Sequence, residues 1–267
     1  MTHIHVLDQY QEGSSLAHRL DPRVKLVLTL AFIVAITALP HGAWLSLLLL
    51  LLAMGTMIVV SRIRPLLILK RSMIAIPFAL TALTLAFTSK GTPLLTFTLA
   101  SWSLSITDRG AVAFVSILAK AWLAVLMATL LAATTSFPDL LAGMRDLGLP
   151  KIIVSTVSFM YRYLFVITDE ALRLHRAREA RSAHRDGKGG GSVTWRARVL
   201  GGMIGSLFLR SYERSERIYA AMLSRGFQGN VRTMRAKGLR ATDLVVAIGF
   251  VIYLLVILTV TTIWMEI

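Results

Sequence analysis

Residues 244–264 read LVVAIGFVIYLLVILTVTTIW, and this stretch decides the fold class because it contains no charged side chain. A helix that crosses the hydrocarbon core of a bilayer needs about 17–25 predominantly apolar residues. In that water-free layer every backbone amide and carbonyl must be bonded within the protein, which a helix achieves within one segment. The stretch therefore predicts a transmembrane helix close to the carboxyl terminus.

Apolar runs of similar or slightly shorter length precede it. They are Val24–Leu39, Ala43–Val60, Ser72–Phe87 and Ala111–Thr134. We expect flanking residues to extend the shorter runs, and Pro77 to kink the third, since a proline inside a helix removes a backbone hydrogen bond. Together the runs predict an all-α, polytopic membrane protein with about five transmembrane helices.

The composition of the whole chain agrees with this fold class. Of 267 residues, 55% are hydrophobic and 16% are charged, whereas a soluble domain has roughly 45–50% and 25%. That balance disfavours an ordinary soluble enzyme and a disordered protein. The absence of cysteine excludes disulfide scaffolds, cysteine-ligated zinc and thiol nucleophiles. The net charge of +15 implies an anionic partner, such as lipid head groups, nucleic acid or an acidic protein face.

The segments between the predicted spans differ in their content of lysine and arginine. These basic residues precede the first span and fill the loop at 61–71, while the loop at 40–42 has none. Residues 136–240 contain 19 Lys and Arg against 8 Asp and Glu. Because basic residues concentrate in cytoplasmic segments, we expect the amino terminus inside and the carboxyl terminus outside. The predicted domains are a membrane domain with four spans over 1–135, a cytoplasmic coupling-helix domain over 136–241, and a last transmembrane helix over 242–267.

The long basic segment is predicted to contain a cytoplasmic pair of long helices. One covers about 151–185, the other 193–224, and a glycine-rich hinge at 186–192 joins them. A short amphipathic helix at 138–147 precedes the pair. A further span over 152–167 is disfavoured, because Arg162 would lie inside it and the following basic residues would move to the outer side. The hinge lacks the spacing of a nucleotide-binding loop.

The two long helices end on similar sequences, both of the form A-x-x-x-R-[S/G]. The candidate docking residues are Ala177, Ala180, Arg181 and Ser182 in the first copy and Ala221, Ser224, Arg225 and Gly226 in the second. Residues i and i+4 share a helix face, so a small residue lies beside each arginine and lets another surface approach. Two copies on one basic segment favour docking of a protein partner over two solvated helix ends.

Lys120 is the one ionisable residue deep within a predicted span. An intramembrane charge is a functional-site hypothesis by default. The span interiors offer it no Asp, Glu or His partner, so we interpret Lys120 as a structural charge that snorkels or bonds a helix carbonyl. The same lack of ligands and bases predicts no metal site, no catalytic centre and no ionic substrate held by this chain itself.

These motifs resemble the transmembrane T component of energy-coupling-factor (ECF) transporters, the EcfT/CbiQ family, and most closely its cobalt type. The resemblance covers essentially the whole chain. It is carried by residues 20–26 (LDPRVKL), by 161–164 and 169–171, and above all by 177–182 and 215–227. The family's paired signature is usually Ala-Arg-Gly. Here the copies read Ala-Arg-Ser at 180–182 and Ser-Arg-Gly at 224–226, so each changes one small residue and keeps the arginine.

The resemblance implies a non-catalytic membrane scaffold in an importer of the bacterial inner membrane, without a cofactor and without a nucleic-acid partner. Its coupling helices would dock on two cytoplasmic ABC ATPases, and its membrane helices would hold a separate substrate-binding S component. ATP-driven closing of the ATPases would then tip the S component and release substrate inward. Cobalt ion is the expected substrate, with nickel or a vitamin as the alternatives.

Two other classes stay open on the residues alone. One is the permease subunit of a conventional ABC importer, whose coupling loop ends in a pattern that residues 148–150 (GLP) resemble. The other is a membrane-anchored module that binds anionic lipid or RNA through the basic segment. A T component, in contrast to both, would use two docking motifs on one chain.

Overall fold

The computed structural model describes residues 10–11, 13–73, 77, 83–84, 93–99, 102–181, 192–229 and 238–266. The chain divides into two compact units. The first unit combines Met1–Leu147 with Ala236–Ile267, and the second unit is Gly148–Arg235.

Helices dominate the described part of both units. The first unit contains α1 (Leu16–Arg19), α2 (Pro22–Ala38), α3 (Trp44–Ser61), α4 (Pro65–Ser72), β1 (Pro93–Leu99), β2 (Trp102–Thr107), α5 (Asp108–Thr134), α6 (Phe137–Asp146) and α9 (Ala241–Glu266). The second unit contains α7 (Lys151–Arg181) and α8 (Val193–Ser224). The helical, polytopic fold class predicted from the apolar runs is confirmed.

Four of the described helices are long and apolar enough to cross a membrane, namely α3, α5, α7 and α9. Three of them coincide with predicted spans. The predicted first span lies largely in α2, whose 17 residues are the shortest length that spans a bilayer. Most of the predicted third span, 72–87, lies outside the described residues. Length and composition admit α7 as a span, while Arg162 and the basic residues after it favour the cytoplasmic assignment, which stays a prediction.

The interior of the first unit is an apolar cluster built by α2, α3, α4, α5 and α9. Phe32 and Ile36 of α2 are each 1% exposed, whereas Leu30 and Val34 on the opposite face are exposed. A helix that is apolar on every side is typical of a membrane span, with one face on its neighbours and the other on lipid. The cluster also includes Leu50, Met54, Leu123, Leu126, Leu254 and Ile257.

Hydrogen bonds supplement this packing between α3 and α9. The Tyr253 hydroxyl donates to the Leu49 carbonyl at 2.9 Å, and the Ser46 and Thr261 hydroxyls lie 2.5 Å apart. Between membrane helices, van der Waals packing and such polar contacts hold the bundle, because lipid is as apolar as the side chains themselves. The last helix is therefore fastened to the second span and not merely adjacent to it.

The short helix α6 belongs to the first unit, because it packs closely on the start of α2. A Cβ added to Gly143 would lie 3.2 Å from the Arg23 amide nitrogen and 3.2 Å from the Pro22 carbonyl carbon. The Arg23 guanidinium also bonds the Asp146 carboxylate at 2.5 Å. The units consequently divide after α6, between Leu147 and Gly148, whereas the sequence analysis places its domain boundary before this helix.

An antiparallel hairpin in the predicted loop between the third and fourth spans was missed by the sequence analysis. Strands β1 and β2 pair Leu95 with Ile106 and Phe97 with Leu104. The sequence alternates apolar and hydroxyl residues over 95–99 and 102–107, which is the period-two pattern of a strand. Each strand has at most seven residues, far fewer than a membrane span, so the hairpin lies outside the long apolar runs that predict the spans.

Candidate docking site on the second unit

Both candidate docking motifs lie at the carboxyl-terminal ends of long helices. Ala177, Ala180 and Arg181 occupy the last turn of α7 and are exposed. Ser182 and the predicted hinge up to residue 191 lie outside the described residues. The second copy is wholly described, and Ala221, Ser224, Arg225 and Gly226 are all exposed at the end of α8. We call Arg181 and Arg225 with these small neighbours the arginine ends.

The glycine of the second arginine end has a conformational reason. Gly226 has φ +77°, which side-chain-bearing residues rarely adopt. Its amide donates to the Leu223 carbonyl at 2.9 Å, and the Phe227 amide donates to the Met222 carbonyl at 3.0 Å. This pair of reversed bonds is a Schellman motif, which satisfies carbonyls that the helix end leaves free. Arg225 is thereby fixed as the last residue before the chain turns away.

The contacts of α7 with α8, and with the residues that directly follow α8, run in antiparallel order. The Ser155 hydroxyl donates to the Gly229 carbonyl at 3.3 Å, the Phe159 and Phe227 rings meet edge to face at 6.1 Å, and Arg210 bonds Glu170 at 2.9 Å. Beyond the Glu170–Arg210 contact, α7 continues for about 16 Å to Arg181 and α8 for about 22 Å to Arg225. The helices thus direct the two arginine ends away from each other.

The guanidinium groups of Arg181 and Arg225 form no ion pair with any other residue that the structure describes. Each sits where the negative end of a helix dipole favours a cation. Arginine offers a planar set of donors that fits a carboxylate or a pair of carbonyls in a defined orientation. The two ends therefore present the same chemistry at two separate places.

An exposed face of α8 that the sequence analysis missed contains Gly201, Ile204, Gly205 and Phe208, which we call the glycine face. The positions follow the spacing i, i+3, i+4 and i+7 of one helix side. Ile204 is 65% exposed and Phe208 is 68% exposed. A Cβ at either glycine would meet nothing within 4 Å. The G-x-x-x-G spacing of Gly201 and Gly205, a known helix-contact pattern, is the sequence signal for this face.

The conspicuous LDPRVKL stretch serves structure in the first unit. The Asp21 side chain accepts the Arg23 amide at 2.9 Å and so caps α2, with Pro22 in the first turn. Lys25 is buried, and its Nζ donates to the His18 carbonyl at 3.3 Å and the Thr134 carbonyl at 3.0 Å. These bonds fasten α1 and the end of α5 to α2.

Lys120 of α5 is half-buried, and its Nζ donates to the carbonyl of Leu39, the residue that caps the end of α2. A helix end leaves carbonyls without partners in the helix, so the ammonium satisfies a group that hydrocarbon would otherwise surround. This contact supports the structural interpretation of Lys120. Within the described ranges, no cluster of three or more His, Cys, Asp or Glu side chains has the arrangement of a metal site.

Comparison with known proteins agrees with the resemblance. The CbiQ family, described as cobalt transport protein, matches residues 13–237. The energy-coupling factor transporter transmembrane protein EcfT of Ruminiclostridium cellulolyticum is 29% identical over 248 residues, 88% of this chain and 88% of its own. The cobalt transport protein CbiQ of Rhodobacter capsulatus is 24% identical over 60% of this chain and 63% of its own. The nickel permease LarQ of Lactiplantibacillus plantarum is 33% identical over 36% of this chain and 33% of its own.

The alignment with EcfT spans nearly the full length of both proteins, whereas those with CbiQ and LarQ cover under two thirds of each relative. The family match itself covers most of the chain and both arginine ends. The apolar helices and this match agree on a multi-pass protein of the cell membrane. The chain belongs to the EcfT/CbiQ family and is the transmembrane component of an ECF-type transporter.

Proposed function

We propose that this chain is a coupling subunit that links two cytoplasmic ABC ATPases to a separate S component in a cobalt importer. The observation that carries the proposal is the pair of exposed arginine ends, which the antiparallel helices direct away from each other. One docking partner would need one such end. Two ends with the same chemistry on one chain fit two copies of a similar partner.

Each arginine end provides a cation for a groove on its own ATPase. The small residues one turn before the arginines, Ala177 and Ala221, are exposed and leave room for the partner's backbone. Within such a groove the guanidinium would meet carboxylate or carbonyl oxygens and lose its water. Removing one member of a buried charged pair typically costs about 2–5 kcal/mol, much of it from the charge left unpaired.

The glycine face supplies a second docking surface, and we assign it to a helix of the S component. Gly201 and Gly205 leave open space on α8, so another helix can approach its backbone closely. Ile204 and Phe208 provide exposed apolar contacts on the same side. An apolar surface with two small residues gains from close van der Waals contact with such a helix.

Cobalt is proposed as substrate on the strength of the family description and the CbiQ relative's name. The substrate would be held by the S component. This chain would itself be non-catalytic and would transmit motion. ATP-driven movement of the two ATPases would shift the ends of α7 and α8 and thereby reorient the S component.

The test is to purify the complex with Arg181→Ala, with Arg225→Ala and with both. Each single variant should weaken ATPase co-purification or coupling, and the double variant should abolish cobalt uptake. A matched control is Arg176→Ala with Arg198→Ala, which removes the same charge from other faces of the same helices. Uptake of cobalt and nickel by the wild-type complex would identify the preferred ion. Wild-type ATPase binding and uptake in the double variant would refute the docking role.

A further inference from the structure

A cavity in the first unit is independent of the arginine ends and the glycine face. It has a volume of about 440 Å³ and lies where α1, the start of α2, the ends of α3 and α5, and the start of α9 meet. Small-molecule sites in proteins usually measure about 300–1,000 Å³. The helix ends that meet here are those that the lysine and arginine distribution places on the cytoplasmic side.

The wall and the mouth of this cavity differ in chemistry. Its wall is apolar and includes Leu28, Met57, Leu130 and Leu131. Arg19 and Arg240, which also line it, are exposed at their respective ends of α1 and α9. A ligand that satisfies both regions must therefore be amphiphilic, with an apolar body and an anionic head.

Lys25 adds a fixed positive charge to the lining. Its ammonium is held in place by the carbonyl oxygens of His18 and Thr134 and by the Thr135 hydroxyl. Asp243 is the one carboxylate that lines the described cavity, and its Oδ2 accepts the Arg240 amide at 3.3 Å. The lining therefore contains three basic residues and one acidic residue, and the carboxylate of that acidic residue is engaged in capping α9.

We propose that this cavity binds one anionic phospholipid of the inner leaflet. Its phosphate lies between Arg19 and Arg240, and part of an acyl chain lies against the apolar wall. A soluble anion would gain nothing from the apolar wall, and a zwitterionic lipid would bring a cation to a mouth that is already positive. Each basic residue near a membrane surface raises the binding constant for acidic lipid by about fivefold.

The experiment uses the purified full-length chain in phosphatidylcholine nanodiscs that contain a small fraction of spin-labelled phosphatidylglycerol or spin-labelled phosphatidylcholine. The measured quantity is the motionally restricted lipid per protein. We expect the wild type to restrict phosphatidylglycerol preferentially. Arg19→Gln with Arg240→Gln should reduce this preference by about tenfold or more, since each arginine contributes about fivefold. Leu131→Trp, which fills the cavity, should lower the restricted fraction without removing the charges.

The control variant is Arg62→Gln with Arg64→Gln, which removes the same charge at the same end of the unit but outside the cavity. It should retain the preference. If the control loses the phosphatidylglycerol preference as much as the Arg19 and Arg240 variant does, the preference comes from the overall positive charge and the proposed site is wrong. A preference that survives both cavity variants, or that inorganic phosphate removes as effectively as unlabelled phosphatidylglycerol, would overturn it as well.

Discussion

The two units of this chain differ in how completely they bury their own side chains. In the first unit, Phe32, Ile36, Leu50 and Leu123 are each 1% exposed. In the second unit α8 has no buried residue in its 32 positions, and exposed apolar side chains extend along it from Val193 to Leu223. Exposed apolar surface of that extent marks an interaction site. The first unit therefore has a buried interior of its own, whereas α8 keeps its apolar side chains exposed.

The result that would change this comparison most is a finding that α7 of the second unit crosses the membrane. The chain has no cysteine, so single cysteines at His41 and Ser192 can be labelled selectively. If α7 is cytoplasmic, the two positions should react from opposite sides of the membrane in intact vesicles. The readout is labelling by an impermeant maleimide, with His41 expected outside. Labelling of both from the same side would make α7 a span.

Glycines in the two units should respond differently to added side chains. Gly143→Leu forces side-chain atoms against the backbone of Pro22 and Arg23, and overpacking of this kind costs about 1–3 kcal/mol. Gly205→Leu meets open space, so the melting temperature of the purified chain should stay the same or rise slightly.

The same Gly205→Leu variant should lose the S component on co-purification, because the added side chain blocks close helix contact. Thermal unfolding and pull-down on both variants separate packing from docking. A chain destabilised equally by both substitutions would remove the distinction between the two units.

A smaller effect on partner binding is expected from substitution of Gly226 at the end of α8. Gly226→Ala places a Cβ at φ +77°, where a non-glycine residue costs about 1–2 kcal/mol. The reversed bonds to Met222 and Leu223 should loosen and Arg225 should lose its fixed position. ATPase co-purification should fall, while the melting temperature of the first unit is unchanged. Gly226→Asn, which tolerates this conformation better, should retain more binding than alanine does.

The smallest expected effect is a pH dependence at His18 of α1. Burial, and to a lesser degree the nearby Lys25 charge, lower the pKa of His18 below its ordinary value of 6.5, although Nε2 also bonds the Gln11 carbonyl. The folded chain therefore favours neutral imidazole. This stabilisation is complete above pH 6.5 and is lost as the pH falls from 6.5 towards the lowered pKa.

Melting temperatures between pH 7.5 and 5.5 should thus decline more steeply in wild type than in His18→Gln. A glutamine keeps a donor for the Gln11 carbonyl but has no proton to gain. Identical slopes in the two proteins would show that His18 does not contribute.

Several features of the candidate site were predictable from local patterns. Arg181 and Arg225 repeat the same spacing at two helix ends, and repetition is visible without coordinates. The glycine face was also visible as G-x-x-x-G, but a spacing alone does not reveal that both glycines meet open space. The Arg23–Asp146 ion pair joins residues 123 positions apart, and no local pattern connects them.

The sequence by itself determined that this protein spans a lipid bilayer, because runs of about 20 uncharged residues are stable there as helices. It also determined the two arginine ends, since helix periodicity puts a small residue beside each arginine. Only the tertiary structure decided that α6 packs on α2, that Lys25 and Lys120 bind helix-end carbonyls, and that α7 and α8 meet in antiparallel order. Those outcomes depend on contacts between distant segments, which arise from the packing of whole helices.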